Sequence, residues 1–350
     1  MELLEGVLLV LLAQAVASTP LCPVAQGDSC KEVRFFLWTS ANPAEPQEVT
    51  VGNISASHFN NSHPTKFVIH GYASGMDLPQ LADIRKEYLL RGPHNLISPQ
   101  YLELADSPCY LTAVVNLDYV GKCVARFVRG LDVARRPLEA DGEAGVVDVL
   151  DLHLVGFSLG GQTAAFVANH LRPEFLLDRI TGLDPAFPLF TTSDKDRKLT
   201  PDDALFVDVF HANAFVQGQG SPCGTVDFYM NGGVRQPGCD DQGFLDRMKC
   251  DHHRAPIYFA ESIRSPVGFW GWNCTSIEDY DMGRCPATGP GALAGDGVDR
   301  ASKGFYIVET KSSEPFARGR WWLQDQQGEA VSDQSEHAAE KQIHPTVTLA

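Results

Sequence analysis

The chain is short of basic residues. It carries 28 Lys and Arg against 44 Asp and Glu, a formal net charge of −16 over 350 residues. That balance cannot neutralise a phosphate backbone, so nucleic acid is excluded as a partner class. Charge alone does not draw such a chain to anionic membranes either. No two of the nine cysteines stand in a CxxC spacing, which argues against a zinc site. No metal and no cofactor is expected. After the N-terminal stretch no segment is apolar enough to span a bilayer, and no internal repeat is present.

What is present begins with an apolar leader. Residues 3–17, LLEGVLLVLLAQAVA, are too short to cross a membrane, and Ala15-Val16-Ala17 is a small-residue cleavage site before Ser18. The flank departs from the usual pattern: it holds Glu2 and Glu5 and no Lys or Arg. A buried N-terminal helix is the alternative reading. The expected plan is a signal peptide at 1–17, one domain at 18–323 and a polar, disordered tail at 324–350. Cysteines in a secreted chain read as disulfides. Cys239 with Cys250 and Cys274 with Cys285 are close pairs, each with ten residues between the partners. Cys22, Cys30, Cys109, Cys123 and Cys223 remain, an odd number, so one is expected to be free. Asn53, Asn60 and Asn273 begin glycosylation sequons, the last with Cys274 in its middle position.

Strand-like runs alternate with helical ones. Val33–Thr39, Thr65–His70, Asn95–Ser98, Asp151–Val155, Ile180–Leu183 and Ala204–Phe210 read as strands, with Asn95–Ser98 cut off by Pro99. Leu78–Leu90, Ala113–Leu131 and His252–Ile263 read as helices. This alternation predicts an α/β fold with a mostly parallel sheet covered on both faces.

The run His153–Gly161, HLVGFSLGG, has the form of a nucleophile elbow. Gly156 and Gly160 flank Ser158 because a tight strand-to-helix turn leaves no room for side chains there. A serine hydroxyl needs a histidine to take its proton, and the histidine needs a carboxylate to fix its tautomer. In an α/β-hydrolase sheet they follow in the order Ser, acid, His. Asp184, in Gly-Leu-Asp-Pro-Ala, falls at a strand's C-terminal end, on the rim that holds Ser158. Asp178 should precede the strand and lie at the opposite rim, and Asp208 lies inside a strand. For the base, His252 and His253 are adjacent, and only one can face the serine. The oxyanion hole needs two backbone N–H groups: Leu159 follows the nucleophile, and Tyr72 follows the strand-ending His70-Gly71.

Five segments in order, KFVIHGY, HLVGFSLGG, ITGLDPAFPLF, VDFYMNGGVRQPGC and CDHHRAPIYFAESI, resemble the animal pancreatic-type lipase family across roughly residues 30–310. The nearest look is to single-domain secreted insect members and sn-1 phospholipases. The resemblance implies an α/β-hydrolase fold, Ser158 as nucleophile, Asp184 as acid, and Tyr72 and Leu159 as oxyanion donors. The family's Cys-x-His-x-Arg pattern selects His252 rather than His253 as base. It also implies a lid closed by Cys239–Cys250.

That lid is short, with Phe244, Leu245 and Met248 as its large apolar groups, and Phe215–Gly224 is short as well. In the family such trimming goes with phospholipase activity, though trimmed surface loops are the plain alternative. Ser98-Pro99-Gln100 stands where the family has Val-Asp-Trp. Phe157 replaces a frequent His, with little expected effect because its side chain should point away from substrate. The loop Val133–Asp148 looks long, the family's calcium-loop residues are not recognisable, and no colipase-binding β-sandwich is expected. The implied protein is a secreted serine lipase acting on a lipid ester at a membrane or lipid-droplet surface. The preferred reading is an sn-1 phospholipase. A neutral glyceride lipase and a silent yolk-type storage protein are the alternatives.

Overall fold

The computed structural model describes residues 22–135, 148–240 and 243–323. The expected leader and polar tail lie outside the described residues. Among the described residues, eleven strands form one sheet. They are β1 Arg34–Trp38, β2 Gln47–Val49, β3 Thr65–Ile69, β4 Asn95–Gln100, β5 Asp148–Phe157 and β6 Phe175–Leu183, then β7 Ala204–His211, β8 Val226–Met230, β9 Phe269–Asn273, β10 Ala292–Ala294 and β11 Gly304–Val308. Their order is β10-β9-β11-β8-β7-β6-β5-β3-β4-β1-β2. From β11 to β4 all neighbours are parallel. Antiparallel strands extend both edges. The fold is that of an α/β hydrolase.

Among the described residues four long helices cover this sheet: α1 Pro79–Arg91, α2 Tyr110–Arg135, α3 Leu159–Leu171 and α4 Phe244–Ser262; a short α5 spans Ile277–Asp281. On one face Ala113, Leu117 and Val124 of α2 and Ala164 and Val167 of α3 pack with Phe67, Ile69 and Leu154. On the other, Leu81 and Ile84 of α1 and Ala255 and Phe259 of α4 pack with Val68, Val155 and Phe210. A strand buried on both faces cannot alternate apolar with polar, so β3 reads Phe67-Val68-Ile69 without a break. Each fully buried side chain of this size contributes roughly 1.5–3 kcal/mol.

The chain crosses from β3 through α1 to β4 on one side, then back through α2 to β5 on β3's other side. The connections leaving β3 and β5 therefore part in opposite directions. In open parallel sheets the crevice at such a reversal is where ligands bind.

Several boundaries differ from expectation, three of them near candidate site residues. Strand β4 runs through Pro99 to Gln100, with Pro99 opposite Phe35 of β1. Its pairing with β3 has already ended at Ile97, so one side of Pro99 has no ladder for a missing N–H to interrupt. Asp178 lies within β6 rather than before it, and pairs with Arg300 at 2.6 Å. Helix α4 starts at Phe244, eight residues before His252. The run FLDRMK consists largely of good helix formers, with Asp246 placed in the first turn.

Both expected disulfides form, and two long-range bonds, Cys22–Cys109 and Cys30–Cys123, tie the N-terminal segment to α2 and its approach. Cys223 is the free cysteine. No helix among the described residues is long and apolar enough to cross a membrane.

Candidate active site

Ser158 joins the end of β5 to the start of α3, with φ 56° and ψ −122°. A side chain with positive φ is strained, and neighbours must hold it. The Ser158 N–H donates to the Leu183 carbonyl at 2.9 Å, and the Ser158 carbonyl accepts from Gly161 N and Ala186 N, both at 3.0 Å. A Cβ on Gly156 would run into the Gly160 carbonyl, and one on Gly160 into the Ile69 carbonyl. Both elbow glycines thus have a steric cause. The N-terminus of α3, the positive end of its dipole, sits at Ser158.

Asp184 follows β6 by one residue, also at positive φ, and is fully buried. Its Oδ1 accepts from Ala212 N at 2.8 Å and Asn213 N at 3.1 Å, and its Oδ2 from Asn213 N at 3.1 Å. Oδ2 also faces His252 Nδ1 at 2.5 Å. A carboxylate accepts, so Nδ1 carries the proton and Nε2 keeps its lone pair. A Cβ on Gly218 would strike the Asp184 carboxylate. The short segment Phe215–Gly224 therefore roofs the acid, through a glycine and the Asn213 turn before it.

The two histidines separate clearly. His252 is buried and faces Asp184. His253 turns to the ring of Phe157, with centroids 5.3 Å apart, and burial pushes its pKa down to about 4. Phe157 is buried, and its ring lies 4.6 Å from that of His252, tilted by 38°, so it packs against the imidazole.

The loop after β3 presses on the elbow. A Cβ on Gly71 would lie 2.8 Å from Ser158 Cβ, 2.9 Å from the Phe157 carbonyl oxygen and 3.2 Å from Leu159 N. Only glycine lets the Gly71–Tyr72 peptide come this close. The Tyr72 ring rests edge-on against Tyr110 at 5.0 Å. Gln100, in the segment replacing Val-Asp-Trp, braces this loop by accepting from Met76 N at 3.1 Å. Asn213 and Gly218 were not legible as site residues: each acts through contacts across the fold.

Residues 13–316 match the profile of the Lipase family. The chain belongs to that family. Pancreatic lipase-related protein 2 of Myocastor coypus is 33% identical over 318 residues, covering 82% of this chain and 65% of the relative. The pancreatic triacylglycerol lipase of the same animal is 30% identical over 338 residues, covering 88% and 71%. A solved CIB-like hydrolase from Thermoplasma acidophilum is 21% identical, covers 53% of this chain and 71% of its own, and superposes with a TM-score of 0.27. The chain spans about 65% of the length of the pancreatic lipase-related relatives.

In this lipase-family chain the Cys239–Cys250 bond closes a segment that is largely helix. Phe244–Lys249 form the first turns of α4, continuous with the turn that carries His252. Phe244 and Leu245 are 59% and 62% exposed, and Leu189 and Phe215 are 53% exposed. Pro256, inside α4, has no N–H to donate to the His252 carbonyl four residues earlier.

Among the described residues His211, Cys223 and Asp227 bring possible ligand atoms within 4.8 Å of one another. Both His211 nitrogens are already engaged, Nδ1 with the Gln219 carbonyl and Nε2 with Asp227 Oδ1, each at 2.8 Å. Asp227 also accepts from Cys223 N at 2.9 Å. Burial pushes the Cys223 thiol well above its usual pKa. As bonded, the trio ties the β7–β8 loop to the sheet.

Proposed function

We propose that this chain is a serine lipase that hydrolyses carboxylic esters of glycerolipids. The observation that carries the reading is the buried Asp184–His252 pair at 2.5 Å, with its imidazole 4.6 Å from the ring of Phe157, the residue before a serine held at positive φ on an elbow. In this reading His252 Nε2 takes the Ser158 proton as Oγ attacks the ester carbonyl. The carbonyl oxygen becomes an oxyanion facing the N–H groups of Tyr72 and Leu159. His252 then gives the proton to the leaving alcohol, and an acyl-enzyme remains. Water, deprotonated by the same imidazole, releases the fatty acid. Asp184 holds the tautomer this requires. No step calls on a metal or cofactor.

A fluorophosphonate probe tests this reading. Wild type should be labelled and should hydrolyse a short-chain ester. Ser158→Ala should lose both, and unchanged labelling in that variant would refute the assignment.

The finer reading is sn-1 cleavage of a phospholipid. The short, helical Cys239–Cys250 segment supports it. The relative named for triacylglycerol supports the second reading, a neutral glyceride lipase. Rates on phosphatidylcholine vesicles and a triglyceride emulsion, with the lyso product identified, decide between them. Faster release from the emulsion would reverse the preference. The four disulfides support a secreted location, because such bonds persist in oxidising compartments.

A further inference from the structure

We propose that His70 is a positioning residue for the oxyanion site, acting through the peptide that joins Gly71 to Tyr72. This rests on the serine lipase reading above. His70 directly follows β3 and is fully buried. Its Nδ1 lies 2.9 Å from the Gly71 carbonyl oxygen. That oxygen only accepts, so Nδ1 bears the proton. Its Nε2 accepts from the Tyr101 backbone N–H at 3.2 Å. The two contacts together permit a single neutral tautomer. Burial acts in the same direction, lowering the His70 pKa to about 4.

The Gly71 carbonyl and the Tyr72 N–H belong to one planar trans peptide and point opposite ways. Fixing the oxygen therefore aims the N–H. Ser74 Oγ donates to the same oxygen at 3.1 Å. Donation to a carbonyl also polarises its peptide and strengthens the N–H as a donor.

The other proposed donor is built on the same plan. The Leu159 N–H shares a peptide with the Ser158 carbonyl, which accepts from Gly161 N and Ala186 N, both at 3.0 Å. Each donor thus sits on a peptide whose carbonyl accepts two hydrogen bonds. Backbone N–H groups anchor the Leu159 peptide, whereas side chains, with His70 foremost, anchor the Tyr72 peptide.

The imidazole is itself immobilised. Tyr101 stacks on it with centroids 4.0 Å apart, and the Tyr101 hydroxyl donates to the His70 carbonyl. The same hydroxyl lies 3.3 Å from Thr163 Oγ1 of α3, which ties the loop to the helix behind the elbow. An oxyanion donor must reach the oxygen at about 2.7–3.1 Å, so small rotations of this peptide matter.

The test uses the full chain with His70→Phe, His70→Asn and Ser74→Ala. Substrates are a short-chain ester and the matching thionoester, whose sulfur accepts hydrogen bonds poorly. Phe removes the Nδ1 donor, and Asn returns an N–H near that position. His70→Phe should lower kcat on the ester on the order of 10–100-fold, with KM little changed. The loss on the thionoester should be much smaller. Asn should recover most of the ester rate, and Ser74→Ala should show a lesser, same-signed loss. Melting temperatures are measured throughout. Equal losses on ester and thionoester, Asn no better than Phe, or a folded Phe variant with wild-type kcat would each overturn the proposal. If the Phe variant does not fold, an undiminished ester-to-thionoester ratio in Ser74→Ala overturns it instead. Wild type without Ser158-dependent turnover would refute the underlying reading and the proposal with it.

Discussion

The imidazole of His252 rests on the ring of Phe157, the residue immediately before Ser158, with centroids 4.6 Å apart. Phe157 is 3% exposed and packs in the core shared by α1, α4 and the sheet. One side chain therefore couples the elbow to the helix that carries the proposed base. Phe157→Leu keeps an apolar group but removes the flat support. We expect a stability loss of about 1–3 kcal/mol in urea titration. We also expect kcat to fall on the order of tenfold, beyond what the unfolded fraction explains. Unchanged kcat in this variant would show that the imidazole is held by Asp184 alone.

Asp184 accepts three backbone contacts, from Ala212 N and Asn213 N, besides its bond to His252. Asp184→Asn turns an amide NH2 toward groups that only donate. It also leaves His252 Nδ1 without its carboxylate, so the wrong tautomer is favoured. In the serine protease template the equivalent change costs about 10⁴ in kcat. A loss of that order is expected here in the rate of fluorophosphonate labelling. A destabilisation of about 1–3 kcal/mol should accompany it, from the opposed N–H groups. Labelling within tenfold of wild type would count against Asp184 as the orienting acid.

The elbow was legible because its steric demands are local. Gly156 and Gly160 must lack a Cβ, and that leaves a pattern a few residues long. Asp184 was legible from its place after an apolar strand. The choice between His252 and His253 was not open to spacing alone. Neighbours on a helix point about 100° apart, and only packing against Asp184 and Phe157 decides which faces the site. The family pattern supplied the same answer by analogy. The bonds from Cys22 to Cys109 and from Cys30 to Cys123 span 87 and 93 residues, so their partners depend on the finished fold. The sequence places His70 in the segment that leads to the oxyanion donor Tyr72, without showing what its side chain does. Its importance lies in a carbonyl one residue on and an amide 31 residues away.

Arg179 and Asp208 form a buried bidentate pair, at 2.7 and 2.9 Å, and Arg179 also donates to the Gly295 and Asp296 carbonyls. The pair fastens the segment before β11 across β6 and β7, away from Ser158. Asp208→Ala strips the bidentate partner from a buried guanidinium and leaves it only the Asp296 carboxylate, at 3.9 Å. Such a loss costs about 3–5 kcal/mol, so the urea midpoint should drop sharply. Esterase activity of the fraction still folded should be retained. A midpoint within experimental error of wild type would refute this account of the pair.

His253 gives stability a pH dependence of known sign. Burial lowers its folded-state pKa from 6.5 to about 4. The unfolded chain therefore takes a proton there below about pH 6.5, while the folded chain stays neutral until about pH 4. Between those values the unfolded state binds the extra proton, so stability contributed by neutral His253 is full above pH 6.5 and is lost as pH falls toward 4. Asp251, the residue before the catalytic candidate His252, opposes it. Its pKa is raised to about 6, chiefly by burial, so the folded state takes up that proton first and gains as pH falls. His253→Gln should leave the Asp251 contribution in place and remove the other. The slope of unfolding free energy between pH 4 and 6.5 should then fall by up to about 1.4 kcal/mol per pH unit. The measurement is a urea titration of wild type and His253→Gln at half-unit steps across that window. Parallel curves for the two proteins would show that His253 titrates alike in both states.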